Sequence, residues 1–189
     1  MQLRATSSLT DSLHRQTLEQ IKQEFGTGTV PQVFELLQSQ PVLLTHLWGQ
    51  FHALVLEGDL PRVLKEMVGL VVATVTHCDH IRMVLIQRLV QQHVEQQTLI
   101  AIVQGHYDAA AVSHATLAVL KFAAIAIASR TASGALNKSN WQRLHHQTKQ
   151  ALEDTGLEEG EQLELIATIS LFEQLCTVAN LLKLDLDPA

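Results

Sequence analysis

The sequence predicts an all-α fold, and two observations carry that prediction. Apolar residues recur at helical spacing in nearly every segment, as Leu18, Ile21 and Phe25 do near the start of the chain. No segment alternates apolar and polar residues with a period of two, and the chain contains neither an Asn-Gly nor an Asp-Gly hairpin turn. Short connections between the periodic segments are typical of helical bundles, so we expect one helical domain over residues 1–189.

Glycines and prolines mark the ends of the predicted helices in the first half of the chain, because glycine favours helix C-termini and proline the first helical turn. Thr76-His77-Cys78-Asp79 resembles a capping box, which makes Thr76 the expected N-cap of the fifth helix. In chain order, the first helix ends at Gly26, the second begins at Pro31, and the others cover about 41–58, 61–75, 77–91 and 94–103.

Three helices are predicted in the second half, over about 109–129, 139–156 and 159–182, with a loop over 131–138. The first of them is about as long as a bilayer span. It contains His114 and Lys121, and a lysine near the bilayer centre costs roughly 2.5–3.5 kcal/mol. We therefore expect a buried helix there and no membrane segment.

The composition narrows the range of partners. The 189 residues are 47% hydrophobic and 17% charged, and the formal net charge is −6. No cluster of lysine and arginine occurs, so a nucleic acid or an anionic membrane surface is not an expected partner. With so few charged residues to cover the surface, we expect some apolar surface to be hidden in a homo-oligomer.

Two cysteines, Cys78 and Cys176, are too few for a disulfide framework. Residues 1–8 contain no apolar stretch of the kind found in secretory signals, so we expect a cytoplasmic protein. Cys176 falls among apolar neighbours on the last predicted helix, where inert packing is the favoured interpretation. The sequence leaves a Cys78–Cys176 disulfide open as an alternative.

The order and spacing of several short segments resemble the alkylhydroperoxidase D-like, or carboxymuconolactone decarboxylase, superfamily, and its peroxidase-related branch in particular. The resemblance covers about residues 18–186 and implies a helical fold that assembles into trimers or hexamers. It rests on Phe25-Gly26, Val30-Pro31-Gln32-Val33-Phe34, Pro41-Val42-Leu43-Leu44, Trp48, Gly58-Asp59-Leu60-Pro61, Lys65-Glu66-Met67, Gly156 and the end of the final helix.

The resemblance also implies a site. Peroxidase members of the superfamily carry a glutamate on one helix and a Cys-x-x-Cys-x-x-x-His motif at the start of the next. One cysteine attacks the peroxide and the other resolves it as a disulfide, while the glutamate and histidine relay protons. Glu66 and Cys78 match the glutamate and the first cysteine, but Ile81 and Leu85 stand where the second cysteine and the histidine are expected.

Two functional hypotheses follow. In the first, the protein is a divergent thiol-dependent peroxidase in which Cys78 is the redox thiol and Glu66 assists proton transfer, with His80 or His77 in place of the missing histidine. A cysteine at a helix start favours this because the helix dipole stabilises a thiolate. The structural alternative is that Cys78 is only a small buried residue.

In the second hypothesis the protein has no redox role. Ile81 and Leu85 make the expected active-site face apolar, so a pocket beside Glu66 could hold a small apolar ligand or support decarboxylase or isomerase chemistry. Histidine, cysteine and glutamate are also zinc-ligand types. However, Cys78 points about 100° away from His77 on a helix, so one helix cannot gather the ligands. We predict no metal and no cofactor.

Overall fold

The computed structural model describes residues 2–26, 30–132 and 138–184. No strand occurs within these ranges, and the predicted all-α fold is confirmed. A π-helical turn, His52–Leu56, extends the third helix, and a 3₁₀ turn, Tyr107–Ala109, precedes the seventh. The helices are α1 Gln2–Phe25, α2 Gln32–Leu37, α3 Pro41–Phe51, α4 Arg62–Val75, α5 Asp79–Gln91, α6 Gln96–Val103, α7 His114–Ala132, α8 Lys138–Glu153 and α9 Glu159–Leu182. The predicted domain bounds and the loop over 131–138 include residues outside the described ranges.

Helix α4 is the centre of the fold. Its residues 65–73 are all buried, because α5, α6, α7 and α9 pack around it. A helix that is apolar on nearly every side is stable only in such an interior position. Helix α1 packs on α3, and α7 on α8, so the molecule is built outward from α4.

A glycine sets the distance between α4 and α9. The ring of Phe172 lies directly over Gly69, and a Cβ atom at Gly69 would come within 2.7 Å of it. By length and composition, α9 is the described helix that could cross a membrane, rather than the segment 109–129 that the sequence singled out. Leu165, Phe172 and Leu175 of α9 are nevertheless buried in the hydrophobic core, as in an interior helix.

A buried ion pair fixes the start of α4 against α9. The Glu164 carboxylate accepts the backbone N–H of Asp59 at 2.8 Å and of Leu60 at 3.2 Å, and it lies 2.8 Å from Lys65 Nζ. Burial alone raises the pKa of Glu164, but these hydrogen bonds and the Lys65 charge lower it overall. Lys65 is itself buried and also donates to the Glu57 carbonyl. The residue after it, Glu66, is thereby placed in the interior.

Two predicted helix starts are wrong. The Thr76 hydroxyl donates to the Val72 carbonyl at 2.8 Å, and His77 takes a left-handed conformation with φ 53°. The chain therefore turns before α5 begins, and Cys78 rather than Thr76 is the N-cap. Helix α7 begins five residues later than predicted because the Ser113 hydroxyl accepts the Thr116 N–H, which is an N-cap arrangement.

Candidate functional site

The left-handed turn at His77 places Cys78 at the junction of α4 and α5. The Cys78 N–H donates to the Ala73 carbonyl at 2.8 Å, which holds this junction against the last turn of α4. The Cys78 carbonyl accepts the Arg82 N–H at 3.0 Å and so begins the hydrogen bonds of α5. The side chain is fully buried. Cys78 is thus a buried thiol at the N-terminus of a helix, as the sequence analysis expected.

The structure brings Cys176 of α9 to this thiol. The two side chains are close enough for each to change the pKa of the other, both are fully buried, and both are free thiols. Asn180 Nδ2, one helical turn after Cys176, donates to the Thr76 carbonyl at 3.1 Å and ties α9 to the segment before Cys78. Sequence reasoning treated Cys176 as packing because helical periodicity shows which face a residue occupies, not which helix it meets.

This contact changes the acidity of both thiols. The hydrogen bond from Cys176 lowers the pKa of Cys78 to about 7; burial opposes the shift, and the Ile81 N–H supports it. The neighbouring Asp79 carboxylate opposes ionisation of Cys78, and the Arg82 guanidinium favours it. As the donor in the pair, and because it is buried, Cys176 has its pKa raised. Cys78 is therefore the thiol of the pair that ionises first.

Glu66 lies in a separate polar cluster. Its Oε1 atom accepts hydrogen bonds from Arg62 Nε at 3.0 Å and from Arg88 Nη2 at 2.8 Å. Its Oε2 atom accepts a hydrogen bond from the Gln92 side-chain amide. Glu24 of α1 bonds to both arginines. Burial raises the pKa of Glu66, although the hydrogen bonds from Arg62 and Gln92 act in the opposite direction. A fully buried carboxylate is tolerated here because two guanidinium groups surround it.

The polar cluster and the thiol pair lie at opposite ends of α5. Glu66 contacts Arg88, whereas Cys78 precedes the first residue of α5. At 1.5 Å of rise per residue, Arg88 is about 15 Å farther along the helix axis than Cys78. No contact joins the Glu66 and Cys78 side chains within the described residues. The role of Glu66 in proton transfer stays a prediction, and Arg88 and Gln92 are partners that sequence reasoning missed.

The histidines do not gather around Cys78. His80 is buried on the first turn of α5, while His77 is exposed at the left-handed position. Over residues 2–26, 30–132 and 138–184, no three histidine, cysteine, aspartate or glutamate side chains lie close enough to hold a metal ion. A role for His80 or His77 in proton transfer stays a prediction.

An apolar cavity occupies the face on which the superfamily motif has its second cysteine and histidine. Ile81 and Leu85 line it, together with Arg88, Phe172 and Leu175. Its volume is about 20 Å³, which holds about one water molecule. Pockets for organic ligands measure about 300–1,000 Å³. The cavity is therefore too small for an organic ligand.

The fold and the site define the class: an all-α protein with a buried cysteine of lowered pKa at the start of one helix and a buried carboxylate on the preceding helix. The sequence profile of the carboxymuconolactone decarboxylase family matches residues 42–124, the stretch that contains Glu66 and Cys78. No functionally curated protein matches the chain.

Two solved structures share the fold. The alkylhydroperoxidase AhpD core of a peroxidase-related protein from Ralstonia eutropha JMP134 has a TM-score of 0.68 and 20% identity, covering 90% of this chain and 83% of that one. A peroxidase-related protein from Silicibacter sp. TM1040 has a TM-score of 0.68 and 20% identity, covering 88% and 81%. They share the fold over most of this chain, and the family profile matches residues 42–124 within it.

Proposed function

We propose that the protein is a thiol-dependent oxidoreductase of antioxidant type that reduces hydroperoxides, with Cys78 as the reactive thiol. The observation that carries the proposal is the position of the buried Cys78 thiol at the N-cap of α5 beside Cys176, where its pKa is lowered to about 7. The thiolate is the nucleophilic form of cysteine, so a cysteine with this pKa is half ionised near neutral pH. The match of residues 42–124 to the carboxymuconolactone decarboxylase family and the fold shared with peroxidase-related proteins support the same chemistry.

The proposed reaction is a two-electron reduction of the peroxide. The Cys78 thiolate attacks one oxygen of ROOH, a sulfur–oxygen bond forms, and the oxygen–oxygen bond breaks. The leaving alkoxide takes a proton and departs as an alcohol, or as water when the substrate is hydrogen peroxide, and Cys78 becomes a sulfenic acid. We assign His80, buried on the adjacent helical turn, as the proton donor to the leaving oxygen.

Glu66 has a different part in this proposal. Its carboxylate holds Arg62 of α4 and Arg88 of α5 together, so it positions the two helices that flank the thiol. The cavity of about 20 Å³ argues against a large organic hydroperoxide and favours hydrogen peroxide as the substrate. We place the reaction in the cytoplasm, where an external thiol can return the electrons.

The non-redox hypothesis is less well supported by the geometry. A ligand-binding role needs space beside Ile81 and Leu85, and the cavity there is about 20 Å³. Decarboxylase or isomerase chemistry needs a carboxylate that can reach a substrate. Both oxygens of Glu66 are instead bonded to side chains of its own chain.

The proposal is tested by hydrogen peroxide consumption with dithiothreitol as the external reductant. We expect wild-type protein to consume peroxide and Cys78→Ser to lose at least nine-tenths of the rate above the dithiothreitol background. Met83→Leu is the matched control, because it removes an exposed oxidisable sulfur from the same helix and is expected to leave the rate unchanged. Equal rates in wild type and Cys78→Ser, or no consumption by either, would refute the proposal.

A further inference from the structure

We infer that Cys176 of α9 is the resolving thiol for Cys78, so that oxidation of the protein produces a Cys78–Cys176 disulfide between the start of α5 and the middle of α9. This inference deepens the proposed function and rests on Cys78 being the thiol that the peroxide oxidises. It supplies the second thiol that the position of Ile81 lacks.

The fold brings the two cysteines together. Both thiols are fully buried in the same hydrophobic core, and each is close enough to change the pKa of the other. A disulfide has a sulfur–sulfur distance of about 2.05 Å, so side chains that already neighbour each other are the ones able to form it.

The surrounding contacts hold the two cysteines in this arrangement. The Thr76 carbonyl, two residues before Cys78, accepts Asn180 Nδ2 from one turn beyond Cys176 at 3.1 Å. On the α5 side, the Cys78 N–H is bonded to the Ala73 carbonyl at 2.8 Å. Hydrogen bonds therefore fix the segment before α5 both to α9 and to the end of α4.

The chemistry balances with the peroxide as oxidant. The first step leaves Cys78 as a sulfenic acid and releases an alcohol or water. Cys176, which keeps its proton in the reduced pair, then attacks the Cys78 sulfur; the sulfur–oxygen bond breaks, and the hydroxyl leaves with the Cys176 proton as water. A disulfide forms, and an external dithiol returns it to two thiols by exchange while becoming a disulfide itself.

The apolar cavity supplies the approach to the buried pair. Ile81 and Leu175 line the cavity, and in the sequence they lie three residues after Cys78 and one residue before Cys176. We expect Ile81→Ala to speed oxidation of Cys78 several-fold. Val84→Ala, which also widens the cavity but lies one turn farther along α5, is expected to have a smaller effect.

The test is a peptide map of the full chain after oxidation. Reduced protein is treated with one equivalent of hydrogen peroxide. It is then denatured in the presence of N-ethylmaleimide, which blocks the remaining thiols, and digested without reductant. We expect wild type to lose two thiols per protomer and to yield a peptide pair linked through Cys78 and Cys176. Cys176→Ser is expected to lose one thiol and to form a Cys78 adduct with dimedone, which traps sulfenic acids.

The outcomes separate this inference from the proposed function. Wild type that gives the dimedone adduct but no linked peptides overturns the inference and leaves the proposed function standing. If peroxide leaves both thiols intact, diamide is added as a direct thiol oxidant. A linked pair with diamide alone supports the dithiol pair and overturns the proposed function, whereas no linked pair with either oxidant overturns the inference. The wild-type map decides the matter even if a cysteine variant does not fold.

Discussion

At the scale of single residues, the Cys78 thiol has the environment with the clearest consequence. The neighbouring Cys176 thiol of α9 favours its ionisation most, the Arg82 guanidinium also favours it, and burial and the Asp79 carboxylate oppose it. Because its pKa is lowered to about 7, the thiolate is present at a lower pH than in an ordinary cysteine. We expect the rate of Cys78 oxidation by hydrogen peroxide to rise with pH around a midpoint near 7 and then to level off.

The rate of thiol loss is measured from pH 5.5 to 9.5 in wild type and in Cys176→Ala. Removing the donor at position 176 is expected to move the midpoint upward, because the hydrogen bond from Cys176 is the largest cause of the lowered pKa. Cys176→Ser keeps a donor and is expected to move it less. A wild-type midpoint near the ordinary value of 9.0 would contradict the assignment of the thiolate to Cys78.

Glu66 is the residue whose removal is expected to cost the most stability. Glu66→Gln leaves the buried Arg88 and the partly exposed Arg62 with Glu24 as their remaining carboxylate. Breaking a buried ion pair on one side costs about 3–5 kcal/mol, and we expect a loss near the lower figure because Glu24 remains. Urea unfolding measures the change. The control Glu35→Gln, at an exposed position, is expected to change stability by less than about 0.5 kcal/mol.

The residues of the site could be predicted only in part. Glu66 and Cys78 were identified by the resemblance of short sequence segments to the superfamily, and Cys78 also by its position at a predicted helix start. The sequence could not identify Arg88 and Gln92 as partners of Glu66, or Cys176 as the partner of Cys78, because these contacts depend on how α5 packs against α4 and α9. Spacing along one helix does not contain that information.

At the scale of elements, the contact between α4 and α9 depends on the absence of a side chain at Gly69. A Cβ atom there would lie within 2.7 Å of the Phe172 ring. We expect Gly69→Ala to destabilise the protein by about 1–3 kcal/mol, because an overpacked core must shift its ring or its helices. Thermal or urea unfolding gives the value.

Gly49 provides the matched control on α3. It is exposed, and a Cβ atom at this position has no neighbour within 4 Å. Alanine is a better helix former than glycine, so Gly49→Ala is expected to stabilise the protein by about 0.5–1 kcal/mol. If the two substitutions shift the unfolding midpoint in the same direction, the close approach of Phe172 to α4 is not what determines the effect.

The sequence pattern predicts which helices occur better than it predicts where each helix begins. Apolar periodicity, glycine and proline placed the elements in the correct order. The start of α5 differs from the predicted one because His77 adopts a left-handed conformation with φ 53°. Non-glycine residues rarely take this conformation, and no residue in the segment predicts it. That turn is what makes Cys78 the N-cap and exposes its thiol to the helix N-terminus.

At the scale of the whole molecule, several large apolar side chains of the described residues are exposed to solvent. The chain is 47% hydrophobic and 17% charged. Large apolar side chains remain in contact with solvent; Val90 is 53% exposed and Ile100 47% exposed, and they lie together in a groove between α5 and α6. Contiguous exposed apolar surface favours association of copies of the chain.

We therefore expect a homo-oligomer in solution, with a mass three or six times the protomer mass of 20.9 kDa. Light scattering on a size-exclusion column gives the mass directly. Because apolar contacts are not screened by ions, the mass is expected to stay the same between low salt and about 1 M salt, where the Debye length is about 3 Å. A protomer mass at both salt concentrations would contradict association, and loss of the oligomer only at high salt would mean that charged contacts, not the exposed apolar side chains, hold the copies together.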